Sequence, residues 1–151
     1  MPMRARGFTL VEIMIVLAIG GLLGAIVLSA LQQHLVKSRQ IQAILDLKEM
    51  SEKIRQLDKS TGALPATLAD AGFGARLDPW SRPYEYLNIR VAGTSQARKD
   101  KKLKPLNSDF DLYSMGPDGL TNKSLNNSKS RDDLVRARDG GFIGTAEEFD
   151  P

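Results

Sequence analysis

The feature that most constrains this sequence is an apolar run near its amino terminus. Phe8–Leu31 is 24 residues long and contains one charged side chain, Glu12. About 20 apolar residues cross a bilayer as a helix, so the run predicts a transmembrane segment. Arg4 and Arg6 precede the run, and positive charge there favours a cytoplasmic amino terminus. The rest of the chain would then lie across the membrane.

A cleaved signal peptide is the first alternative for this run. Its basic start and apolar middle fit such a peptide, and Val27–Ser29 before Ala30 resembles a small-residue cleavage site. Glu12, however, lies where a signal peptide needs apolar residues, and the helical pattern continues past residue 30. These two observations favour a helix that stays attached to the mature chain.

Glu12 places a carboxylate where an acidic group costs about 2.5–3.5 kcal/mol, so it needs a partner. If the chain were cut after Gly7, the new amine of Phe8 would lie about one helical turn from Glu12. Periodicity leaves two interpretations open. Glu12 neutralises a terminal amine of its own chain or of a neighbour, or it stays hydrated at the bilayer edge.

Composition limits the class of protein. The 151 residues suffice for one domain, and the chain has no cysteine and one histidine, His34. These counts exclude disulfides, thiolate metal sites and cysteine nucleophiles, and they argue against histidine catalysis. The net charge is +3, from 21 basic and 18 acidic residues. Without residues 1–7 the basic count falls by the two arginines to 19, so nucleic acid is an unlikely partner.

Residues 32–60 contain neither glycine nor proline, which predicts that the helix continues to about Ser60. One apolar stripe follows helical spacing: Val36, Ala43, Leu47, Met50, Ile54 and Leu57. Ile41, Ile44 and Leu45 fall off that stripe. They either widen the buried face or contact another subunit, and the sequence leaves both open.

The motif Arg6–Glu12, which reads Arg-Gly-Phe-Thr-Leu-Val-Glu, resembles the class III signal of type IV prepilins and type II secretion pseudopilins. The resemblance implies that a prepilin peptidase cuts between Gly7 and Phe8 and methylates the amine of Phe8. It also implies that Glu12 pairs with the terminus of a neighbouring subunit during assembly. The resemblance further implies that helix is lost around Gly20, Gly21 and Gly24 where such subunits fit together in a filament. Close approach of helices in lipid explains glycines equally well, as at Gly20–Gly24.

Residues 61–151 predict a small mixed head. Pro65–Ala71 predicts a short helix, and strands are predicted after Pro83 and over Phe110–Ser114. Trp80 is interpreted as a core anchor, with ligand stacking as the alternative. Leu77–Leu87 resembles the DPWGxPYxY signature of major pseudopilins of the G family, with serine in place of its glycine.

The segment Arg98–Lys104 has five basic residues in seven. We interpret it as a solvated loop, with DNA or an anionic surface as the alternative, since lysine and arginine release counterions from phosphates. No aromatic residue lies within the run, which weakens a mode of binding that stacks bases.

Asp118, Asp132 and Asp133 lie in and after a long polar loop. They are solvated, or they converge on calcium, which prefers oxygen ligands. Asp111–Gly119 followed by the aspartate pair is similar to the calcium loop of the same pseudopilins. That resemblance implies calcium as a cofactor, bound by these three carboxylates and by the carbonyl of Met115.

The sequence therefore predicts an α+β, pilin-like subunit: a long amino-terminal helix on a small antiparallel sheet, with a metal-stapled carboxy-terminal loop. Its expected parts are a leader (1–7), a transmembrane and filament-core helix (8–31), an amphipathic stem (32–60) and a periplasmic head (61–151). The resemblance implies a non-enzymatic major pseudopilin of type II secretion. Copies of the chain would form a helical homo-oligomer. Minor pseudopilins and an inner-membrane assembly platform would be its further partners. A surface type IV pilin is the alternative.

Overall fold

The computed structural model describes residues 9–149. Their helices and strands are, in chain order, α1 (Leu10–Thr61), β1 (Glu85–Asn88), α2 (Ile89–Ala92), β2 (Phe110–Ser114), β3 (Leu134–Ala137), β4 (Phe142–Thr145) and α3 (Ala146–Phe149). The predicted α+β class, with a long amino-terminal helix and a small antiparallel sheet, is confirmed.

Helix α1 runs without a break through the three glycines of its first half. It ends one residue later than expected, where Gly62 takes a positive φ of 76° and donates to the carbonyl of Asp58. Glycine reaches this left-handed conformation without a steric penalty, which explains why the helix stops there. The chain divides into two compact units, one up to Lys37 and one from Ser38 onward.

In the first unit, the helix presents its apolar side chains to the surroundings. Residues 9–28 are all exposed. Among the described residues, one helix, α1, is long and apolar enough to cross a membrane, and none of its apolar window is buried. This is consistent with anchoring by a single membrane-spanning segment.

In the second unit, the four strands form an antiparallel sheet in the order β1-β2-β3-β4. Glu85 pairs with Tyr113 between β1 and β2, and Val135 pairs with Gly144 between β3 and β4. Strands that are adjacent in the sheet are also consecutive along the chain, so each connection joins two adjacent antiparallel strands.

One face of the sheet packs on α1. The predicted stripe is fully buried at Ala43, Leu47, Met50 and Ile54. The core also includes the side chains of Tyr84, Phe110, Leu112 and Leu134, with half-buried Leu57, Trp80 and Tyr86 around them. Val36 departs from the prediction because it remains 41% exposed. The off-stripe residues divide: Ile44 widens the core, whereas Ile41 and Leu45 stay exposed.

The other face of the sheet has its own smaller core, because successive strand residues point to opposite faces. Val135 and Ala137 lie there with Leu106, Leu125 and Ala146. The last three come from the segments that connect or follow the strands. Both faces of this short sheet are therefore covered.

Two buried polar side chains connect α1 to the rest of the head. Asp46 accepts a hydrogen bond from the hydroxyl of Tyr84 at 2.8 Å and one from Arg76 at 2.6 Å. Arg136 on β3 donates through Nε to the hydroxyl of Ser51 at 2.9 Å. Both links reach buried side chains of the helix. They therefore fix the orientation of α1 on the sheet and hold the two together.

The short helix predicted over Pro65–Ala71 is wrong, because the segment forms turns. Thr67 and Asp70 bond one another through side chain and backbone, as at a helix start. Phe73 then donates to the carbonyl of Leu68, and Gly72 takes a φ of 88°, which closes the segment after one turn.

Candidate functional site

The amino-terminal end of α1 is closed by a reciprocal pair, Thr9 and Glu12. The backbone amide and the hydroxyl of Thr9 donate to Oε2 of Glu12 at 3.0 and 3.1 Å, and the amide of Glu12 donates to the Thr9 hydroxyl at 3.2 Å. This is a capping box, in which the first helical turn satisfies its own amides. Our sequence reasoning missed it, although threonine followed three residues later by glutamate is its signal.

Two other predicted positions at this end, Gly7 and Phe8, lie outside the described residues. Cleavage between them and methylation of Phe8 remain predictions, and so does pairing of Glu12 with an amine. The described geometry gives Glu12 a local role within its own helix. Any assembly role would be additional to that capping.

The second candidate site is the loop between β2 and β3, where calcium is predicted. It begins at a buried polar junction formed by the turn before β1. Asp78 accepts from the amides of Trp80 and Arg82 through Oδ1, and from the Ser114 hydroxyl at 2.6 Å through Oδ2. The Ser114 hydroxyl accepts in turn from the amide of Gly116 at 3.2 Å. The turn and the loop are thus joined by hydrogen bonds.

The turn before β1 keeps the backbone shape that its signature motif implies. Ser81 has a φ of 65°, in the left-handed region where glycine is preferred. The serine therefore changes the conformational cost of the turn and leaves its shape in place. Trp80 is half-buried against the core, which agrees with its interpretation as a core anchor.

The first half of the loop lies against the side chain of Arg82. Its Nη1 donates to the carbonyl of Gly116 at 2.6 Å, and both terminal nitrogens lie 3.4 Å from the carbonyl of Pro117. A Cβ at Gly119 would come within 2.5 Å of the Arg82 guanidinium carbon. The φ of 70° at Gly119 favours glycine there, and a Cβ would also displace the Arg82 guanidinium from its present position.

The second half of the loop is tied to Arg98 through a closed ring of hydrogen bonds. Arg98 Nη2 lies 2.5 Å from Oδ2 of Asp133, and Nη1 donates to the Thr121 hydroxyl at 2.8 Å. That hydroxyl donates to the same Asp133 oxygen at 2.7 Å. Arg98 also stacks on the ring of Tyr113, with 4.0 Å from its central carbon to the centroid.

Asp118 and Asp132 lie close together. The amide of Asp118 donates to Oδ2 of Asp132 at 3.2 Å, and Oδ1 of Asp118 accepts from the amide of Leu120 at 2.7 Å. Asp118 is exposed, whereas Asp133 is fully buried. The structure thus brings two of the predicted carboxylates together and directs the third toward an arginine.

The predicted calcium ligands are divided between these two places in the loop. Calcium needs six to eight oxygen ligands. One oxygen of each of these carboxylates accepts a hydrogen bond within the chain, and Oδ2 of Asp133 is bound to Arg98 instead of facing the other two aspartates. Within residues 9–149, no group of three or more histidine, cysteine, aspartate or glutamate side chains is placed to hold a metal. Met115 lies half-buried at the start of the loop. Calcium binding stays a prediction.

Burial dominates the electrostatics of the ring. It raises the pKa of Asp133 to about 6, although the charge of Arg98 and the Thr121 hydroxyl oppose that change. Burial also raises the pKa of Asp132, where the neighbouring Asp118 charge adds to the effect. Oδ1 of Asp133 and Nε of Arg98 are buried atoms for which the described residues provide no hydrogen-bond partner.

The basic run Arg98–Lys104, predicted as a solvated loop, is only partly exposed to solvent. Lys102 and Lys104 are exposed, but Arg98 is 4% exposed and belongs to the interior. Its amide donates to Oδ2 of Asp111 at 2.6 Å, which fixes the backbone as well as the side chain. Charge counting along the sequence could not separate the buried member from its neighbours.

Comparisons with known proteins place this chain in a family. Residues 2–28 match the family described as "Prokaryotic N-terminal methylation motif". The type II secretion system core protein G of Dickeya chrysanthemi is 30% identical over 128 residues, which cover 80% of this chain and 82% of that protein. The chain belongs to the type II secretion core protein G family.

Other members of the core protein G family are similarly close. That of Aeromonas hydrophila is 28% identical over 137 residues, covering 77% of this chain and 85% of that protein. A fimbrial protein of Neisseria meningitidis is 24% identical over 143 residues, covering 93% and 84%. No solved structure matches the chain. The expected resemblance to pilin-like major pseudopilins is thereby confirmed.

Proposed function

We propose that this chain is the repeating structural subunit of a type II secretion pseudopilus. The observation that supports this most is the exposed apolar first half of α1 in a chain of the core protein G family. An apolar surface of this size needs lipid or other subunits around it. The same surface can serve first as a membrane anchor and later as the centre of a filament. Relatives are named as core proteins of the type II secretion system, which agrees with a structural role.

The processing and topology follow from the amino-terminal motif. A prepilin peptidase removes residues 1–7 after Gly7 and methylates Phe8. Residues 8–31 hold the subunit in the bacterial inner membrane, residues 32–60 form the stem, and residues 61–151 lie in the periplasm. Minor pseudopilins and the inner-membrane platform then join the subunits into a periplasmic filament that aids protein export.

Within this filament, Glu12 neutralises the terminal amine of an adjacent subunit. Its carboxylate is exposed in the single chain, and its contacts there are to Thr9. A neighbour's amine can therefore reach it without unfolding any buried structure. Pairing would remove two opposite charges from an apolar filament core, where an unpaired carboxylate is costly.

The capping box allows a test that separates charge from helix capping. Glu12→Gln keeps an acceptor for the Thr9 amide but removes the negative charge, whereas Thr9→Ala weakens the cap and keeps the charge. We expect Glu12→Gln and Glu12→Ala to abolish filaments and export in cells with the cognate secretion system. Thr9→Ala should retain both. Mass spectrometry of the filament subunit should show a chain that begins at methylated Phe8.

Two outcomes would contradict this assignment. If Glu12→Gln assembled as well as the unmodified chain while Thr9→Ala did not, Glu12 would act only as a cap. If filaments formed on the cell surface without any effect on export, the surface-pilus alternative would replace the pseudopilus. The similarity to the Neisseria meningitidis fimbrial protein keeps that second candidate in the test.

A further inference from the structure

The loop between β2 and β3 has two guanidinium groups bound to its oxygen atoms. We propose that Arg82 and Arg98 are the cations that hold this loop, residues 115–133, and that it keeps its structure without a bound metal ion. The proposal concerns the head alone, so it stands or fails independently of filament assembly.

Arg82 organises the carbonyl oxygens at the beginning of the loop. The carbonyl of Gly116 lies 2.6 Å from its Nη1, and the carbonyl of Pro117 faces the same guanidinium. Main-chain carbonyls in a tight turn normally repel one another, and a cation placed among them offsets that repulsion. The flat guanidinium with several N–H donors can bind two carbonyls at once. Its backbone is fixed by Asp78, so the side chain is directed at the loop.

Arg98 organises the carboxylate at the end of the loop. It is 4% exposed, and Asp133 is fully buried, so each charge depends on the other for compensation. The Thr121 hydroxyl bonds to both, which ties the middle of the loop to its end. Stacking on Tyr113 and the bond from its amide to Asp111 hold Arg98 in place.

Both ends of the loop also meet directly. Gly116 has a φ of 63°, and a Cβ there would collide with the backbone carbonyl of Asp132. The two arginines therefore act on segments that are already in contact. Together they supply two positive charges to one loop, the charge that a divalent cation would bring. A further cation near Arg98 would meet repulsion from it.

The test compares the full-length chain, in detergent micelles, with millimolar calcium and with a chelator. We expect the melting temperatures to differ by less than about 2 °C, since residues 9–149 gather no group of three carboxylates that could hold the ion. Trp80, the single tryptophan, lies two residues from Arg82 and gives a fluorescence signal for the same transition. Asp118→Ala should leave the melting temperature similarly unchanged.

Substitution of the arginines should have the opposite result. Arg98→Ala should lower the melting temperature by about 10 °C or more, because it leaves Asp133 buried without a counter-ion. Arg98→Lys should recover only part, since an ammonium cannot form the same fork. Lys102→Ala is the matched control from the same basic run: it is exposed, and we expect no change.

Limited proteolysis keeps the proposal testable if Arg98→Ala fails to fold. Trypsin can cut the loop at Lys123, Lys129 and Arg131. Arg82→Ala should speed cleavage there about tenfold by opening the loop locally, with or without calcium. The proposal is overturned if calcium raises the melting temperature of the unmodified chain by about 5 °C or more, or if the chelator alone exposes these sites. It is equally overturned if Arg82→Ala leaves the cleavage rate unchanged.

Discussion

The two halves of α1 contain similar apolar residues but put them to different use. In the first half, Leu17, Leu22 and Leu28 are 69%, 65% and 63% exposed. In the second half, Leu47 and Ile54 are completely buried against the sheet. The difference lies in what the chain itself provides: the sheet covers one stripe of the second half, and no described residue covers the first. Burial within the chain serves head stability, and apolar surface left outside serves assembly.

The largest expected effect comes from replacing a buried leucine in the second half of α1, with an exposed leucine two residues away as the control. Leu47→Ala should lower the free energy of unfolding of the head by about 3 kcal/mol, because it leaves a cavity between helix and sheet. Leu45→Ala, at a 53% exposed position, should change it by less than about 0.5 kcal/mol. Denaturant unfolding in micelles measures both. Equal losses would contradict the division between the two kinds of apolar residue.

A smaller effect is expected from the polar link at Asp46. Burial alone would raise the pKa of Asp46, but hydrogen bonds from Arg76, Tyr84 and Gln42 outweigh it and hold the pKa below its usual value. The folded state thus binds this proton more weakly than the unfolded state. Its contribution to stability is present above the unfolded pKa, near 4, and is lost as the pH falls through the folded pKa.

Asp46→Asn tests this link. We expect a loss of about 2 kcal/mol at neutral pH and a smaller loss once the pH has fallen below the folded pKa of Asp46, where Asp46 of the unmodified chain is itself protonated. Melting temperatures measured across this range for both chains isolate Asp46 from other carboxylates. Parallel pH profiles would show that the ionised form of Asp46 does not stabilise the contact between helix and sheet.

The smallest effect belongs to the first half of the helix. Gly21→Ala improves intrinsic helix propensity, and a Cβ at Gly21 would meet nothing within 4 Å. We expect the melting temperature of the head to stay unchanged, because residue 21 lies outside the unit that contains the sheet. A clear shift would show that the two halves of α1 are energetically coupled.

The sequence predicted the elements whose signals are local. The apolar run, the helical stripe from Ala43 to Ile54 and the strand Phe110–Ser114 depend on periodicity alone, and the structure contains each of them. The side of the strand taken by Tyr86 was also predictable, since alternate strand residues share a face.

The buried arginines could not be predicted, because their burial depends on residues distant in the sequence. Arginine is usually exposed, yet Arg136 in β3 is 1% exposed, and Ser51 and Asp109 accept its hydrogen bonds. Ser51 is 85 residues away from it along the chain. Arg98 was placed in a solvated run for the same reason: nothing near it in the sequence indicates Asp133. Buried charges are defined by partners that only folding brings together.

The shortness of the two edge strands affects how the subunit behaves when many copies are crowded together. β1 and β4 are each four residues long, and each leads directly into a helical turn, α2 or α3. Such short edges offer a poor template for strand addition by another molecule. Heads crowded side by side can therefore avoid β-aggregation, and their contacts are left to side chains instead of to a shared backbone ladder.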